Sequence, residues 1–348
     1  MSMKGLRVLG LIALAAAMLR GQPVSGPVYW SVVPPNCSSL AGESPVPITN
    51  ASGATIGYSC YVSGTFLWLA AGGGWTTSIR VAAPASGAVG ADYYFYDKSG
   101  SGLTLDITTK RGSPVTSNSS VNFSLFANQP AEVDLFGAPG NGPAYNISLA
   151  GSAYAVFYCP DAVTCGNVLP QLIYSELPTT PWSLSVPIAW DTQVWTQWSA
   201  EGIDDGGANL LSLAIYNEGT TAKAYTVRVY DGTGALAGTG TTPTIPPFQQ
   251  LGNGNLGEAG TYGDLLKNII PTPLPSGVFK ILIDGGSEYS AVTVLQFNGG
   301  SGTALQVSYD SAPGASASSS SAAASPLSFA RTARVGSLPK PVFSGLPR

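Results

Sequence analysis

Tyr93-Tyr94-Phe95-Tyr96-Asp97-Lys98-Ser99-Gly100 and Val227-Arg228-Val229-Tyr230-Asp231-Gly232-Thr233-Gly234 are two versions of one pattern, 134 residues apart. Each is a run of β-branched and aromatic residues closed by Asp-x-x-Gly. Such runs favour a half-buried strand. The closing Asp bonds to its own backbone and the Gly accepts a positive φ, so a tight turn follows. At the same offset Ser78-Ile79-Arg80-Val81 answers Ser212-Leu213-Ala214-Ile215. The repeat predicts a duplicated β-module in which Asp97 and Asp231 start hairpin turns.

Alternation assigns the faces. Val227 and Val229 are apolar, Thr226 and Arg228 polar, and successive strand side chains point opposite ways. Val227 and Val229 are therefore expected in the core, with Tyr93 and Phe95 beside them by register and Tyr94 on the outer face. Further pairs extend the repeat: Tyr145, Ile147 and Leu149 with Phe279, Ile281 and Ile283, then Tyr154 with Tyr289 and Tyr174 with Tyr309.

Outside the repeat, the chain of 348 residues holds 43 Gly and 27 Pro and only 10% charged residues. That composition favours turns and strands over helices. Short strands punctuated by Gly, Pro, Asn and Ser recur from Thr65 to Ser175, which is the mark of a β-sandwich. The fold class expected is all-β: two tandem antiparallel β-sandwich (Ig-like) domains from an internal duplication. The first spans residues 27–176 and the second 183–310, joined by the Pro-rich linker Leu177–Trp182. Residues 311–348, rich in Ser, Ala, Gly and Pro, are expected to be a disordered tail.

Residues 1–21 look like a signal peptide. Lys4 and Arg7 precede the apolar run Val8–Leu14, and Ala15-Ala16-Ala17 supplies a small-residue cleavage site. The run is too short to span a bilayer, which takes about 20 apolar residues. The mature chain is thus expected to be secreted or at the cell surface, with no transmembrane span. Cys37, Cys60, Cys159 and Cys165 make an even set, which in an exported chain means two disulfides. The pairing Cys37–Cys60 and Cys159–Cys165 is preferred among three, since each closes a local loop. Cys159 to Cys165 is read as a hairpin tip.

Charge and residue inventory narrow the function. All 19 acidic residues but only 8 of the 15 basic ones lie between residues 22 and 310. An acidic body repels phosphate, so nucleic acid is not expected as a partner. The chain has no His, which removes Ser-His-Asp and Cys-His catalysis and the usual zinc sets. Glu132 and Asp134 share one strand face, whereas paired catalytic carboxylates flank a cleft. No catalytic residue and no enzyme activity are predicted. Calcium is the one cofactor with candidate ligands, at Asp97 to Asp106 and at Glu201, Asp204 and Asp205.

The string Gly72-Gly73-Gly74-Trp75-Thr76-Thr77-Ser78-Ile79, with Tyr96-Asp97-x-x-Gly100 after it, resembles GGGW-type modules of uncharacterised secreted proteins from soil bacteria. Ser185-Val186-Pro187-Ile188 leading to Gly206-Gly207 and Leu211–Asn217 is similar. Those modules are tandem β-sandwiches, and the resemblance covers about residues 65–310. Copy two departs from it at Asn209, where copy one has Trp75. The resemblance implies a secreted pair of sandwiches and no activity.

Function is sought where the copies differ. Copy two has a stretch from Thr192 to Asp205 that reads as a long inserted loop, with Trp195 and Trp198 beside Glu201, Asp204 and Asp205. Exposed rings stack on sugars and on partner surfaces. The expectation is a non-enzymatic extracellular structural or adhesive protein with an unknown protein or glycan partner. The alternatives are a carbohydrate-binding protein in which Trp195 and Trp198 of this loop carry the contact and, less favoured, a secreted hydrolase.

Overall fold

The computed structural model describes residues 27–38, 40, 44–50, 52–71, 75–97, 99–108, 116–136, 149–176, 182–190, 196–204, 209–251, 269–270, 272–286, 290–298, 301–305 and 307–309. The leader, the glycine run at 72–74, the linker at 177–181 and the tail from 311 lie outside them. The fold is nearly all β, with antiparallel pairing throughout the described strands.

The first part of the chain forms β1 (Val46–Thr49), β2 (Thr55–Ala71), β3 (Trp75–Ala82), β4 (Val89–Asp97), β5 (Leu105–Thr108), β6 (Thr116–Asn118), β7 (Ser120–Leu125), β8 (Pro130–Phe136) and β9 (Leu149–Cys159). The short helix α1 (Ala162–Gly166) follows, then β10 (Leu169–Glu176), β11 (Trp182–Val186) and β12 (Ala189–Trp190). Sheet I runs β1-β2-β9-β4-β7 with β12 beside β2, and sheet II runs β11-β10-β3-β8-β5-β6. Phe66, Tyr93, Phe95 and Phe157 of sheet I share one core with Ile79, Val133, Leu135 and Leu172 of sheet II. Tyr93 and Phe95 thus point inward and Tyr94 outward, as the alternation requires.

The second part forms β13 (Gln197–Asp204), β14 (Asn209–Asn217), β15 (Thr226–Tyr230), β16 (Leu236–Thr241) and β17 (Gln250–Leu251). It continues with β18 (Gly277–Asp284), β19 (Ser290–Asn298), β20 (Ser301–Leu305) and β21 (Val307–Tyr309). Sheet III runs β16-β15-β18-β13-β21 and sheet IV runs β17-β14-β19-β20. Val227, Val229 and Ile281 from sheet III meet Leu213, Ile215 and Val294 from sheet IV in a second core.

The strand order recurs. In sheet I the order β12-β2-β9-β4-β7 matches β21-β13-β18-β15-β16 in sheet III, and β11-β10-β3-β8 in sheet II matches β20-β19-β14-β17 in sheet IV. Registers recur too. Tyr93 pairs with Ala155 as Val227 pairs with Ile283, and Ile79 pairs with Leu172 as Leu213 pairs with Val294. Gly64 faces Trp190 as Trp198 faces Tyr309. The counterpart of Tyr309 is therefore Trp190, not Tyr174. Ile281 sits where Ala153 sits, opposite Val229 and Phe95 respectively. The later aromatic matches expected from the sequence are not register partners, because hydrogen-bond register follows sheet position rather than residue type.

Two local readings change. The loop closed by Cys159 and Cys165 is a helix rather than a hairpin tip: Asp161 caps it, its Oδ1 accepting from Thr164 N at 2.8 Å. Side-chain acceptance at the N-cap satisfies a helix donor that would otherwise be orphaned. Trp182, read as the end of the linker, and residues 183–190, expected to open the second domain, complete the first pair of sheets: β11 lies on β10 and β12 on β2.

Both expected disulfides form. Cys37 bonds to Cys60 and Cys159 to Cys165, each with a Cα–Cα distance of 5.4 Å. Cys60 and Cys159 are directly opposed across β2 and β9, so the two bridges sit side by side. No helix among the described residues is long and apolar enough to cross a membrane.

The two parts are joined by an apolar contact. Ala214, Tyr216, Ala291 and Leu295 face away from the second core and are buried in the first one instead. Trp190 and Phe248 pack on the same cluster. Gln250 Nε2 donates to the Leu67 carbonyl across this contact.

Candidate functional site

Of the five residues expected to bind a ligand, Trp198, Glu201 and Asp204 lie on one strand, with Trp198 and Glu201 on opposite faces. Gln197–Asp204, read from sequence as loop, is β13, the counterpart of β2. Its period of two is visible in Trp198-x-Ala200-x-Gly202, the buried side, against the half-exposed Gln197 and Ser199 and the exposed Glu201. Trp198 is 7% exposed and sits in the second core, where its indole N–H donates to the Ser290 carbonyl at 3.0 Å. Burial with a satisfied N–H is the ordinary state of a core Trp, and this ring is not available to a glycan. Glu201 is exposed and lies opposite Lys280. Asp204 ends the strand opposite Gly277. Trp195 and Asp205 lie outside the described residues.

The two Asp-x-x-Gly turns are near-identical structural devices. Asp97 Oδ1 accepts from Ser99 N, Ser99 Oγ and Ser101 N at 2.8, 2.6 and 2.9 Å. Asp231 Oδ1 accepts from Thr233 N, Thr233 Oγ1 and Ala235 N at 2.8, 2.6 and 3.0 Å. These bonds, led by that from the Thr233 hydroxyl, hold the Asp231 carboxyl below the usual carboxylate range. Gly100 and Gly234 carry the positive φ that closes each turn, +81° and +85°. The carboxylates are committed to the fold.

Three other acidic side chains of the first module are similarly engaged. Glu132 pairs with Arg80 at 3.1 Å, Asp134 accepts from Ser78 Oγ at 2.5 Å, and Asp106 accepts from Ser117 Oγ at 2.5 Å. Among the described residues no group of three or more carboxylate or cysteine side chains is placed to hold a metal ion.

The described residues of the two modules also differ on the outer face of sheet I. There Gly90, Asp92, Tyr94 and Tyr96 of β4 lie beside Tyr154, Val156 and Tyr158 of β9 and Tyr61 of β2. The segment from Pro27 to Ser31 crosses this face as a strap. Ser31 and Tyr58 exchange backbone hydrogen bonds of 2.8 Å, and the Ser59 hydroxyl donates to the Tyr29 carbonyl at 2.7 Å. The Tyr29 ring lies directly over Gly90, where a Cβ would stand 2.8 Å from it. Only Gly permits that approach. Tyr29 and Trp30 meet edge to face with centroids 5.3 Å apart. Together these rings form a third apolar cluster, distinct from both cores.

Asp92 lies inside that layer. It is 8% exposed, and its Oδ2 has no hydrogen-bond partner. Desolvation by burial pushes its carboxyl up to about 6. The Tyr29, Tyr94 and Tyr158 hydroxyls are pushed up as well, first by burial and then by the Asp92 charge. A carboxyl among rings holds its proton to a higher pH than an exposed one.

In the second module the same positions are polar. Thr226 stands in the place of Asp92 and Arg228 in the place of Tyr94, and Arg228 Nη1 pairs with Asp284 Oδ2 at 3.2 Å. The sequence signal for the difference was present in the outward-facing series Asp92-x-Tyr94-x-Tyr96. The strap was not legible, since nothing local says where Tyr29 and Trp30 fold back.

No known family model matches the chain, and no curated protein or solved structure is significantly similar to it.

Proposed function

We propose that the chain is an exported, non-enzymatic structural or adhesive protein. In this reading it is a pair of Ig-like β-sandwiches that arose by internal duplication and act as one stiff unit. The observation that carries it is the joint. Four side chains of sheet IV are buried in the first module's core rather than in their own, which fits a rigid pair better than two beads on a linker. The recurrence of strand order and register supports the duplication. Two intramolecular disulfides are typical of proteins outside the cytoplasm and support export, in line with the leader read from residues 1–21. The engagement of Asp97, Asp231, Glu132 and Asp134 in turns and pairs supports a role without catalysis. The partner is then a protein or a glycan surface, met by faces rather than by a cleft.

Cell fractionation with N-terminal sequencing of the exported chain tests this reading. The expected result is a processed chain outside the cytoplasmic membrane, beginning between residues 18 and 27, with no turnover of polysaccharide or peptide substrates. An unprocessed cytoplasmic chain, or turnover that disappears on substituting Glu132 or Asp134, overturns it.

A further inference from the structure

The internal joint is asymmetric, and each half of it has an unused counterpart. On the first module's side, the joint includes the Asp97–Ser101 turn: a Cβ on Gly100 would lie 3.1 Å from the Phe248 carbonyl. On the second module's side it includes the Pro246–Gln249 turn and the outer face of sheet IV. The first module has its own version of that turn. Ala83 N donates to the Gln129 carbonyl as Asn217 N donates to the Gln249 carbonyl, at 3.1 and 3.0 Å. Asn128 and Phe248 are the two non-glycine residues with positive φ among those described, at 64° and 57°. The second module likewise has its own version of the Asp97 turn, from Asp231 to Ala235. There a Cβ on Gly234 meets nothing within 4 Å.

The face around the first module's free end shares part of the joint's apolar character, with Arg80 in the place of Ala214. Leu169 pairs with Ala82 as Ala291 pairs with Tyr216, so Leu169 holds the place of Ala291. Ala291 is fully buried in the joint, whereas Leu169 is 69% exposed. Phe126, which opens the first module's turn, is 55% exposed. Val163 on α1 is exposed at this same end. At the opposite end of the molecule, beside the Asp231 turn, Leu236 and Val278 are 57% and 56% exposed. Of the nine exposed large apolar side chains among the described residues, Phe126, Val163 and Leu169 lie at the first of these ends and Leu236 and Val278 at the second, while Val28, Val32, Val33 and Ile56 belong to the strap, the chain after it and the start of β2. Exposed apolar patches mark association surfaces. Between residues 22 and 310 the chain is strongly acidic, so contact elsewhere brings like charges together. The described residues of the first module's free end carry few charges, Asp161 and the paired Arg80 and Glu132 among them.

We propose that copies of this chain associate head to tail: the Asp231–Leu236 end of one copy docks on the Phe126–Gln129 and Leu169 end of the next, repeating the joint between the two modules. Contacts of this type are heterologous and propagate into rings or open arrays. The interaction is weaker than the internal joint. Gln250, which donates to Leu67 across it, has Pro130 as its counterpart, and proline has no side-chain donor. The inference rests on the structural reading above and deepens it by naming the partner as a second copy.

Sedimentation velocity of the exported chain, with two surface variants, tests this. One variant blocks the first end (Phe126→Arg with Leu169→Arg) and the other blocks the second (Leu236→Arg with Val278→Arg). All four sites are more than half exposed, and unchanged thermal melting verifies that each variant folds. Unaltered chain is expected to grow in mass beyond a dimer between about 1 µM and about 1 mM, the range of weak association. Each variant alone is expected to stay monomeric. An equimolar mixture of the two is expected to form a dimer and nothing larger, since one intact end remains on each. A monomeric unaltered chain throughout overturns the proposal, as do variants that still associate or a mixture that stays monomeric. None of these failures bears on export or on the absence of turnover, which fractionation and activity assays read separately.

Discussion

Gly100 of the first module's turn lies against the carbonyl of Phe248 in the second, while Gly234, at the same place in the second module's turn, is in open space. The two turns have the same backbone and the same Asp bonding pattern. They differ in what stands beyond them, and that difference isolates the joint from the turn.

Gly100→Ala and Gly234→Ala should therefore differ. Each forces alanine to a positive φ, which costs about 1–2 kcal/mol. Only Gly100→Ala also presses a Cβ to 3.1 Å of a carbonyl oxygen. Thermal melting of both variants should show the larger loss for Gly100→Ala. Equal losses would mean that the Gly100 turn is not held against the second module.

Trp198 offers a direct check on its placement in β13. Truncating a buried Trp costs about 3–5 kcal/mol, and Trp198→Ala also removes the indole hydrogen bond to the Ser290 carbonyl. Denaturant unfolding should show a loss of that order. A Trp198→Ala protein of unchanged stability would put the ring at the surface, where a glycan could use it.

Asp92 should set a pH dependence. Its folded pKa, about 6, lies above the unfolded value of 3.8. The folded state therefore binds the proton more tightly, and the stability this contributes is present below pH 3.8 and lost as pH rises through 6. The penalty at neutral pH amounts to about 3 kcal/mol. Asp92→Asn, which keeps the shape without the charge, should raise the melting temperature at pH 7.5 and raise it little at pH 4. A gain of equal size at both pH values would show that Asp92 does not ionise inside the tyrosine layer.

The first half of each module was legible in the sequence because its signals are local. Tyr93 and Phe95 alternate with Tyr94 and Tyr96, and Asp97 and Asp231 carry their own turn chemistry. The disulfides were legible because each closes a short loop. β13 was missed because Trp195 and Trp198 drew attention as a pair, although only the alternation of Trp198, Ala200 and Gly202 reports a strand. Tyr309 was matched to Tyr174 by residue type, while its sheet position makes it the counterpart of Trp190. Long-range packing decided the rest. No local pattern shows that Tyr29 folds over Gly90, or that Ala291 leaves its own core for that of its neighbour. Asp92 was passed over because an isolated carboxylate in a strand reads as solvated until the strap above it is known.

Calorimetry tests the central claim, that two like-built modules are welded into one unit, most directly. A buried apolar joint with a hydrogen bond from Gln250 to Leu67 couples the two cores, and coupled cores unfold together. The unaltered chain is predicted to melt in one transition with equal calorimetric and van't Hoff enthalpies. Combining Gln250→Ala with Gly100→Ala is predicted to split that transition in two. Two separate transitions in the unaltered chain would contradict the account.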